Sequence, residues 1–249
     1  MILEAQNISF QYNAGQTVLN DISLSIAEKE LMVLAGVNGC GKSTLLKCLA
    51  GLQHCSAGTV LLNGTPLHKL SRQYRAQHIA FMSQSPEIPP GYSVRELVMC
   101  GRFPWNSSRR ENIAAVEKIM AETGISALQN RQLDQLSGGE RQKAFLAMAL
   151  VQQPQILLLD EPFSALDPAA AWELFALINR MRKEYRIAVV MVLHDINRAL
   201  HCGERIVGLK QGKILFDLPA ADAAEFIPEL YDLPPEAVIH NTGHSIWFL

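Results

Sequence analysis

The stretch LMVLAGVNGCGKS, residues Leu31–Ser43, decides the fold. Its first five residues are apolar without alternation, which is typical of a strand buried on both faces in a parallel sheet. Glycines follow at once, and from Lys42 to Leu52 the apolar residues recur at helical spacing. This order of strand, glycine-rich turn and helix predicts an α/β core. It also predicts a functional loop at the carboxyl edge of the sheet.

That loop, Gly36–Ser43, fits the phosphate-loop pattern GxxxxGK[ST] at every fixed position. Its glycines let backbone N–H groups turn toward phosphate oxygens, and the following helix adds its positive dipole end. Lys42 would reach the β- and γ-phosphates, and Ser43 would bind Mg²⁺ through its hydroxyl. The alternative, a turn that only joins strand to helix, is disfavoured by this context. The expected phosphate-side contacts are Asn38, Gly39, Cys40, Gly41, Lys42, Ser43 and Thr44.

Composition narrows the class of protein. Of the 249 residues, 49% are hydrophobic and 18% charged, so the chain can bury a large core. The formal charge of −2 gives no sign of a basic nucleic-acid surface, and no nucleic-acid partner is expected. Five cysteines lack zinc-site spacing, so we expect a reduced, cytoplasmic chain.

A pair of acidic residues, Asp160 and Glu161, follows the apolar run Ile156–Leu159. Asp160 would hold Mg²⁺ through water, as the acidic partner of a phosphate loop does. Glu161, one residue on, could polarise the attacking water. A solvated loop is the alternative for such a pair, and the phosphate loop elsewhere in the chain favours function.

The patterning predicts alternating strands and helices. Strands are expected at 2–10, 18–26, 31–35, 59–62, 156–159 and 187–193, and helices at 42–52, 93–100, 111–124, 140–153 and 169–183. Turns are expected at Asn13–Gly15 and Asn63–Gly64. The helical stretch between Gln84 and Gln153 looks inserted, so we predict one domain, 1–249. Its nucleotide-binding core would be 1–84 with 154–249, and its helical subdomain about 85–153.

The segment Leu136–Glu140 reads LSGGE and resembles the signature of the ATP-binding-cassette ATPases. It also reads as a helix start, with Ser137 as cap and Glu140 closing a capping box. Both interpretations can hold, because a glycine-rich helix N-terminus is itself an anion site.

The resemblance covers essentially the whole chain. It implies an α/β fold: a P-loop NTPase (RecA-like) core with an N-terminal antiparallel β subdomain and an inserted α-helical subdomain. It implies ATP and Mg²⁺ as cofactors, with catalytic roles for Glu161, Gln84 of the Q-loop and His194 of the switch. Further nucleotide contacts would be Tyr12, stacked on adenine, with Ser137, Gly138, Gly139 and Asp167 of the D-loop; metal contacts would be Ser43, Gln84 and Asp160. Taken singly, Tyr12 could be an ordinary strand aromatic and His194 a structural histidine.

The resemblance also implies partners. These are a head-to-tail homodimer closed by ATP, two integral-membrane permease subunits and, indirectly, a substrate-binding protein. The chain would lie peripherally on the cytoplasmic side of the inner (plasma) membrane. Residues Ser93–Trp105 resemble the "V..LV..GR.P" stretch of ATPases serving importers of iron–siderophore complexes, haem and cobalamin. Phe103 and Trp105 would meet the permease or fold back onto the helical subdomain. A non-transport cassette ATPase, such as one for iron–sulfur assembly, and an importer of another small solute are the alternatives.

Overall fold

The computed structural model describes residues 1–12, 15–84, 86, 91–234, 238–240 and 246–248. The turn predicted at Asn13–Gly15 therefore lies largely outside the described residues. The strands are β1 Leu3–Gln11, β2 Thr17–Ile26, β3 Leu31–Ala35, β4 Ala57–Leu62, β5 Thr65–Pro66, β6 Ile79–Met82, β7 Ile156–Asp160, β8 Ala188–Val192, β9 Arg205–Lys210, β10 Lys213–Pro219, β11 Val238–His240 and β12 Ile246–Phe248. The helices are α1 Lys42–Leu49, α2 Arg72–His78, α3 Val94–Cys100, α4 Arg109–Glu122, α5 Gly138–Leu150, α6 Pro168–Tyr185, α7 Ile196–Cys202, α8 Ala220–Ala223 and α9 Ile227–Tyr231.

The chain forms two compact units, residues 1–69 with 189–249 and residues 70–188. The first unit holds an antiparallel sheet in the order β2-β1-β4-β5. Asn63 and Gly64 join β4 to β5 with φ values of 49° and 75°, the conformation of a tight hairpin turn. The predicted strands and this turn are confirmed. The predicted subdomain boundaries near residues 84 and 154 stay a prediction.

A second sheet of the first unit carries the glycine-rich loop. It runs β10-β9-β3-β8, with β3 parallel to both β8 and β9. Every residue of β3 is buried, as the unbroken apolar run predicts. Ala35, at the end of β3, packs in a cluster with Phe216, Ile227 and Leu230. The loop after β3 therefore begins from a rigid, fully packed strand.

Among its described residues, the second unit combines a parallel strand pair with the helices α2 to α6. In β6 and β7, Ile79 lies opposite Ile156 and Met82 opposite Leu159, so both strands end at one edge. Helices α3, α4 and α5 each begin at a serine whose hydroxyl forms a capping box with a glutamate three residues on. Within the described part of the chain, the search for a helix long and apolar enough to cross a membrane finds none.

The α/β class is confirmed, and the element ends show where local chemistry outweighs periodicity. Helix α1 ends at Leu49 instead of Leu52, because Gly51 adopts φ 68° and stops it. Helix α4 begins at Arg109, two residues before the predicted start, because Ser108 caps it. The sequence patterning does not predict strands β5, β6 and β9 to β12 or the short helices α2, α7, α8 and α9.

Candidate active site

Three glycines shape the loop between β3 and α1. Gly36 has φ +144°, and a Cβ there would collide with the Leu209 carbonyl oxygen. Gly41 has φ +110°, and a Cβ there would lie 2.8 Å from Leu19 Cδ2. Gly39, with φ +79°, has no heavy atom within 4 Å of a Cβ position. Gly36 and Gly41 are thus required by packing, and Gly39 leaves a concave face with open space for a ligand.

Lys42 is 4% exposed and its ammonium is turned into the loop. Nζ donates to the carbonyl oxygens of Gly36, at 2.7 Å, and Val37, at 2.9 Å. Cys40 Sγ lies 3.9 Å away. Burial raises the pKa of the Cys40 thiol despite the nearby ammonium, so the thiol stays neutral. The loop therefore holds one positive charge among neutral groups, which suits an anionic ligand.

Tyr12 and Thr44 connect the antiparallel sheet to α1. Tyr12 is 50% exposed and stands edge-on to Phe10, with ring centroids 4.7 Å apart. Its hydroxyl lies 3.2 Å from Thr44 Oγ1. A half-exposed aromatic ring is thus fixed beside the helix that starts at Lys42, and its free face suits stacking on a planar base. The role of Tyr12 with adenine stays a prediction.

His194 lies at the same sheet edge as the loop. Strands β3 and β8 are parallel, with Leu34 opposite Val192, and Leu193 N–H donates to Leu34 O at 3.3 Å. His194 follows immediately and is exposed. The first unit therefore brings together the predicted loop residues, Tyr12 and His194.

In the second unit, Gln84 meets Glu161. Gln84 Nε2 donates to Glu161 Oε2 at 2.6 Å, just beyond the ends of β6 and β7. Asp160, the last residue of β7, is only 6% exposed. Glu161 itself adopts φ 51°, and its carbonyl oxygen accepts from both Ser164 N, at 3.1 Å, and Ser164 Oγ, at 3.0 Å. Ser164 begins the D-loop segment, residues 164–167, and its two hydrogen bonds hold this unusual backbone conformation.

The signature segment begins α5 and is exposed at Ser137 and Gly138. Ser137 Oγ accepts from Glu140 N at 3.3 Å and donates to Glu140 Oε2 at 2.9 Å, so the helix-start interpretation is confirmed. The Ser137 N–H also donates to Glu140 Oε2 at 2.9 Å, and this bond, followed by the bond from the Ser137 hydroxyl, lowers the pKa of the Glu140 carboxyl. Asp167 caps α6 by accepting from Ala170 N at 2.9 Å. Nucleotide contacts by Ser137, Gly138, Gly139 and Asp167 stay predictions.

A cavity of about 400 Å³ in the second unit connects these parts. It is lined by Gln84, Gly138 and the D-loop residues 164–166, together with side chains of α5. The Q-loop, signature and D-loop segments, remote in sequence, therefore border one space.

The chemistry of the predicted ligands fits these residues. An open glycine cradle with a buried ammonium suits phosphate groups. The Ser43 hydroxyl, the Asp160 carboxylate and the Gln84 amide oxygen are hard oxygen donors, which Mg²⁺ prefers.

Comparisons with known proteins agree with this geometry. A family model described as "ABC transporter" matches residues 19–164, more than half of the chain. The chain is 35% identical to the iron(3+)-hydroxamate import ATP-binding protein FhuC of Bacillus subtilis, over 95% of this chain and 90% of that protein. It is 33% identical to the phosphonates import ATP-binding protein PhnC of Lactococcus lactis, over 92% and 98%.

A solved structure of an ATP-binding cassette is similar to this chain. The ATP-binding cassette MJ0796, described as a dimer in a post-hydrolysis state with ADP and Pi, superposes with a TM-score of 0.79. The sequences are 28% identical, over 88% of this chain and 99% of that chain. The chain belongs to the ABC transporter family and is an ATP-binding-cassette ATPase.

Proposed function

We propose that this ATPase energises a membrane importer for iron–siderophore complexes. The observation that carries the proposal is the loop after α3, which holds Phe103 at 85% exposure within the segment that resembles siderophore, haem and cobalamin importers. The similarity to an iron(3+)-hydroxamate import protein supports the same substrate class.

The proposed chemistry is hydrolysis of the terminal phosphate of ATP. Glu161 orients and polarises the attacking water, and Gln84 holds the Glu161 carboxylate in place. Lys42 neutralises phosphate charge, and His194 senses the γ-phosphate from the edge of β8. Mg²⁺, when held by Ser43, Asp160 and Gln84, supplies charge neutralisation at the phosphates.

The proposed working state is a head-to-tail homodimer. The loop of one subunit and the Ser137–Gly139 segment of the other would face the same nucleotide, in a two-fold arrangement. Exposure of Ser137 and Gly138 at the N-terminus of the 13-residue helix α5 supports this role. The similarity to a dimeric cassette structure points the same way.

The proposed permease contact is the loop that presents Phe103. Trp105 next to it is partly buried and donates from Nε1 to Gln152 O at 2.9 Å. The Arg102 guanidinium stacks over the Trp105 ring, 5.1 Å from its centroid, and Pro104 O accepts from two side chains of α2. Of the two predicted aromatic anchors, Trp105 therefore folds back and fixes the loop, while Phe103 is available to a partner. A loop ordered in advance binds with less entropic cost.

On this proposal the chain lies peripherally on the cytoplasmic face of the membrane. Two permease subunits would be its neighbours, and a substrate-binding protein would deliver solute to them. Phosphonate is the second candidate solute, because a phosphonate import protein is 33% identical over nearly the whole chain.

Uptake in cells tests the proposal. Cells that lack this chain are complemented with wild type, Phe103→Ala or Phe103→Met, and uptake of labelled ferric hydroxamate, haem, cobalamin and phosphonate is measured. We expect wild type to restore ferric hydroxamate uptake, Phe103→Met to retain most of it, and Phe103→Ala to lose about 10-fold, as truncated interface anchors do.

The outcomes separate the alternatives. Restoration of phosphonate uptake alone would replace the substrate, and restoration of no uptake would favour a non-transport ATPase. Full uptake with Phe103→Ala would remove this loop from the permease interface.

A further inference from the structure

The phosphate loop forms a hydrogen bond with a residue that lies far from it in the sequence. The N–H of Gly36, the first loop residue, donates to the Tyr231 hydroxyl oxygen at 3.1 Å, across 195 sequence positions. Tyr231 is the last residue of α9, and its side chain packs against the cluster that contains Ala35. Burial raises the pKa of Tyr231, so its hydroxyl remains protonated at neutral pH.

Helix α9 is held firmly enough to serve as a support. Ile227 and Leu230 are fully buried. The Lys210 ammonium bonds Asp232 Oδ1 at 2.7 Å and also the Glu229 carbonyl oxygen. One cation at the end of β9 therefore clamps the last turn of α9 against the sheet that carries the loop.

The turn between β9 and β10 contacts the same loop at another point. Gly212 N–H donates to the Cys40 carbonyl oxygen at 3.1 Å. Residues from the C-terminal part of the chain thus form hydrogen bonds with the phosphate loop at Gly36 and at Cys40. Gly36 in turn accepts from Lys42 Nζ, so the residue bonded to Tyr231 also sets the resting place of the loop ammonium.

We propose that Tyr231 is a positioning residue for nucleotide binding, which holds Gly36 and thereby the phosphate loop in its binding conformation. Gly36 has a backbone conformation open only to glycine, and a fixed partner for its N–H keeps it there. Tyr231 acts through the loop and not on the reacting atoms. The inference rests on ATP as the ligand of the loop, and it is independent of the transported solute.

The position of Tyr231 sets the expected kinetic signature. The loop contacts phosphates in the ground state and the transition state alike, and binding of that kind affects affinity more than turnover. Loss of the Tyr231 hydroxyl should therefore lower the affinities for ATP and ADP by the same factor and change kcat little.

The test compares Tyr231→Phe with Tyr185→Phe. Tyr185 is also partly buried, and its hydroxyl donates to Glu122 within the second unit, so the control deletes a tyrosine hydrogen bond of that unit. Calorimetry measures ATP and ADP affinity with Mg²⁺, and steady-state kinetics gives KM and kcat. We expect Tyr231→Phe to weaken both nucleotides about 3- to 10-fold with kcat within about twofold, and Tyr185→Phe to change neither.

A second variant perturbs the support of α9 and leaves the Tyr231 hydroxyl in place. Lys210→Met releases the clamp on α9 and should weaken both nucleotides in the same direction, by a smaller factor. Unchanged affinity in Tyr231→Phe, or an equal loss in Tyr185→Phe, would overturn the positioning role. If the wild-type chain bound no nucleotide, the nucleotide assignment itself would fail, which is a distinct result.

Discussion

Gln84 Nε2 donates a 2.6 Å hydrogen bond to Glu161 Oε2, although 77 positions separate the two residues in the chain. The parallel pairing of β6 with β7 brings them together, because each residue follows the carboxyl end of its strand. The bond orients the one carboxylate that the account assigns to the attacking water.

Substitution of Gln84 tests that orientation. Gln84→Ala removes the donor, so we expect hydrolysis to fall about 10-fold or more while ATP affinity stays within about twofold. Gln84→Glu places a second carboxylate beside Glu161 and should lose at least as much activity. Steady-state ATPase assays with calorimetry check both, and full activity in the two variants would contradict the role.

Lys42→Ala tests the phosphate loop. It deletes the positive charge that lies among the Gly36 and Val37 carbonyls, so ATP affinity and turnover should each fall about 10-fold or more. Lys47→Ala, one turn further along α1, is the matched control and should bind ATP normally. Unchanged affinity and hydrolysis in Lys42→Ala would refute the assignment.

Ser137→Arg tests the proposed shared site. The exposed Ser137 would have to approach the partner's nucleotide, and a bulky side chain there should block ATP-dependent dimerisation without loss of ATP binding. Light scattering in a Glu161→Gln background measures the dimer, with exposed Ser126→Arg as control. Normal dimerisation of Ser137→Arg would contradict the head-to-tail arrangement.

Arg102→Ala tests the support of the Phe103 loop. Arg102 is 7% exposed, and its guanidinium donates to Val151 O at 2.9 Å and Asn112 Oδ1 at 3.0 Å. Its loss leaves the buried Val151 carbonyl oxygen without this donor, which costs about 1–3 kcal/mol and lowers Tm by about 2–12 °C. Exposed Arg110→Ala should leave Tm unchanged. Scanning calorimetry measures the Tm of both variants. Equal Tm values for Arg102→Ala and Arg110→Ala would mean that Arg102 does not hold the loop.

The sequence predicts elements well where a single pattern dominates. Strand β3 is predicted at 31–35, its observed bounds, because a short unbroken apolar run ended by Gly36 is typical of a buried strand. Strand β9 was not predicted, since Gly208 interrupts its apolar run; the structure shows that a Cβ there would collide with the Phe216 ring. Such a glycine is explained only by a partner strand that local sequence does not reveal.

Motif spacing predicts candidate site residues, whose roles stay predictions, but it does not predict the contacts that hold them. Ser137 was correctly interpreted as a helix cap, because a capping box lies within four residues. The Gln84–Glu161 bond and the Tyr231–Gly36 bond join residues far apart in the chain, so local patterns carry no signal for them. For Trp105 the sequence leaves two outcomes open, contact with the permease or packing on the helical subdomain, and its bond to Gln152 depends on the tertiary placement of α5.

Hydrolysis by Glu161→Gln tests the central claim most directly. The substitution keeps the size of the side chain, the phosphate loop and Asp160, but it removes the carboxylate that orients water. We expect ATP affinity close to wild type and a loss of hydrolysis of about 10²-fold or more, the usual scale for a general base. Near-normal ATPase activity in Glu161→Gln would contradict the account.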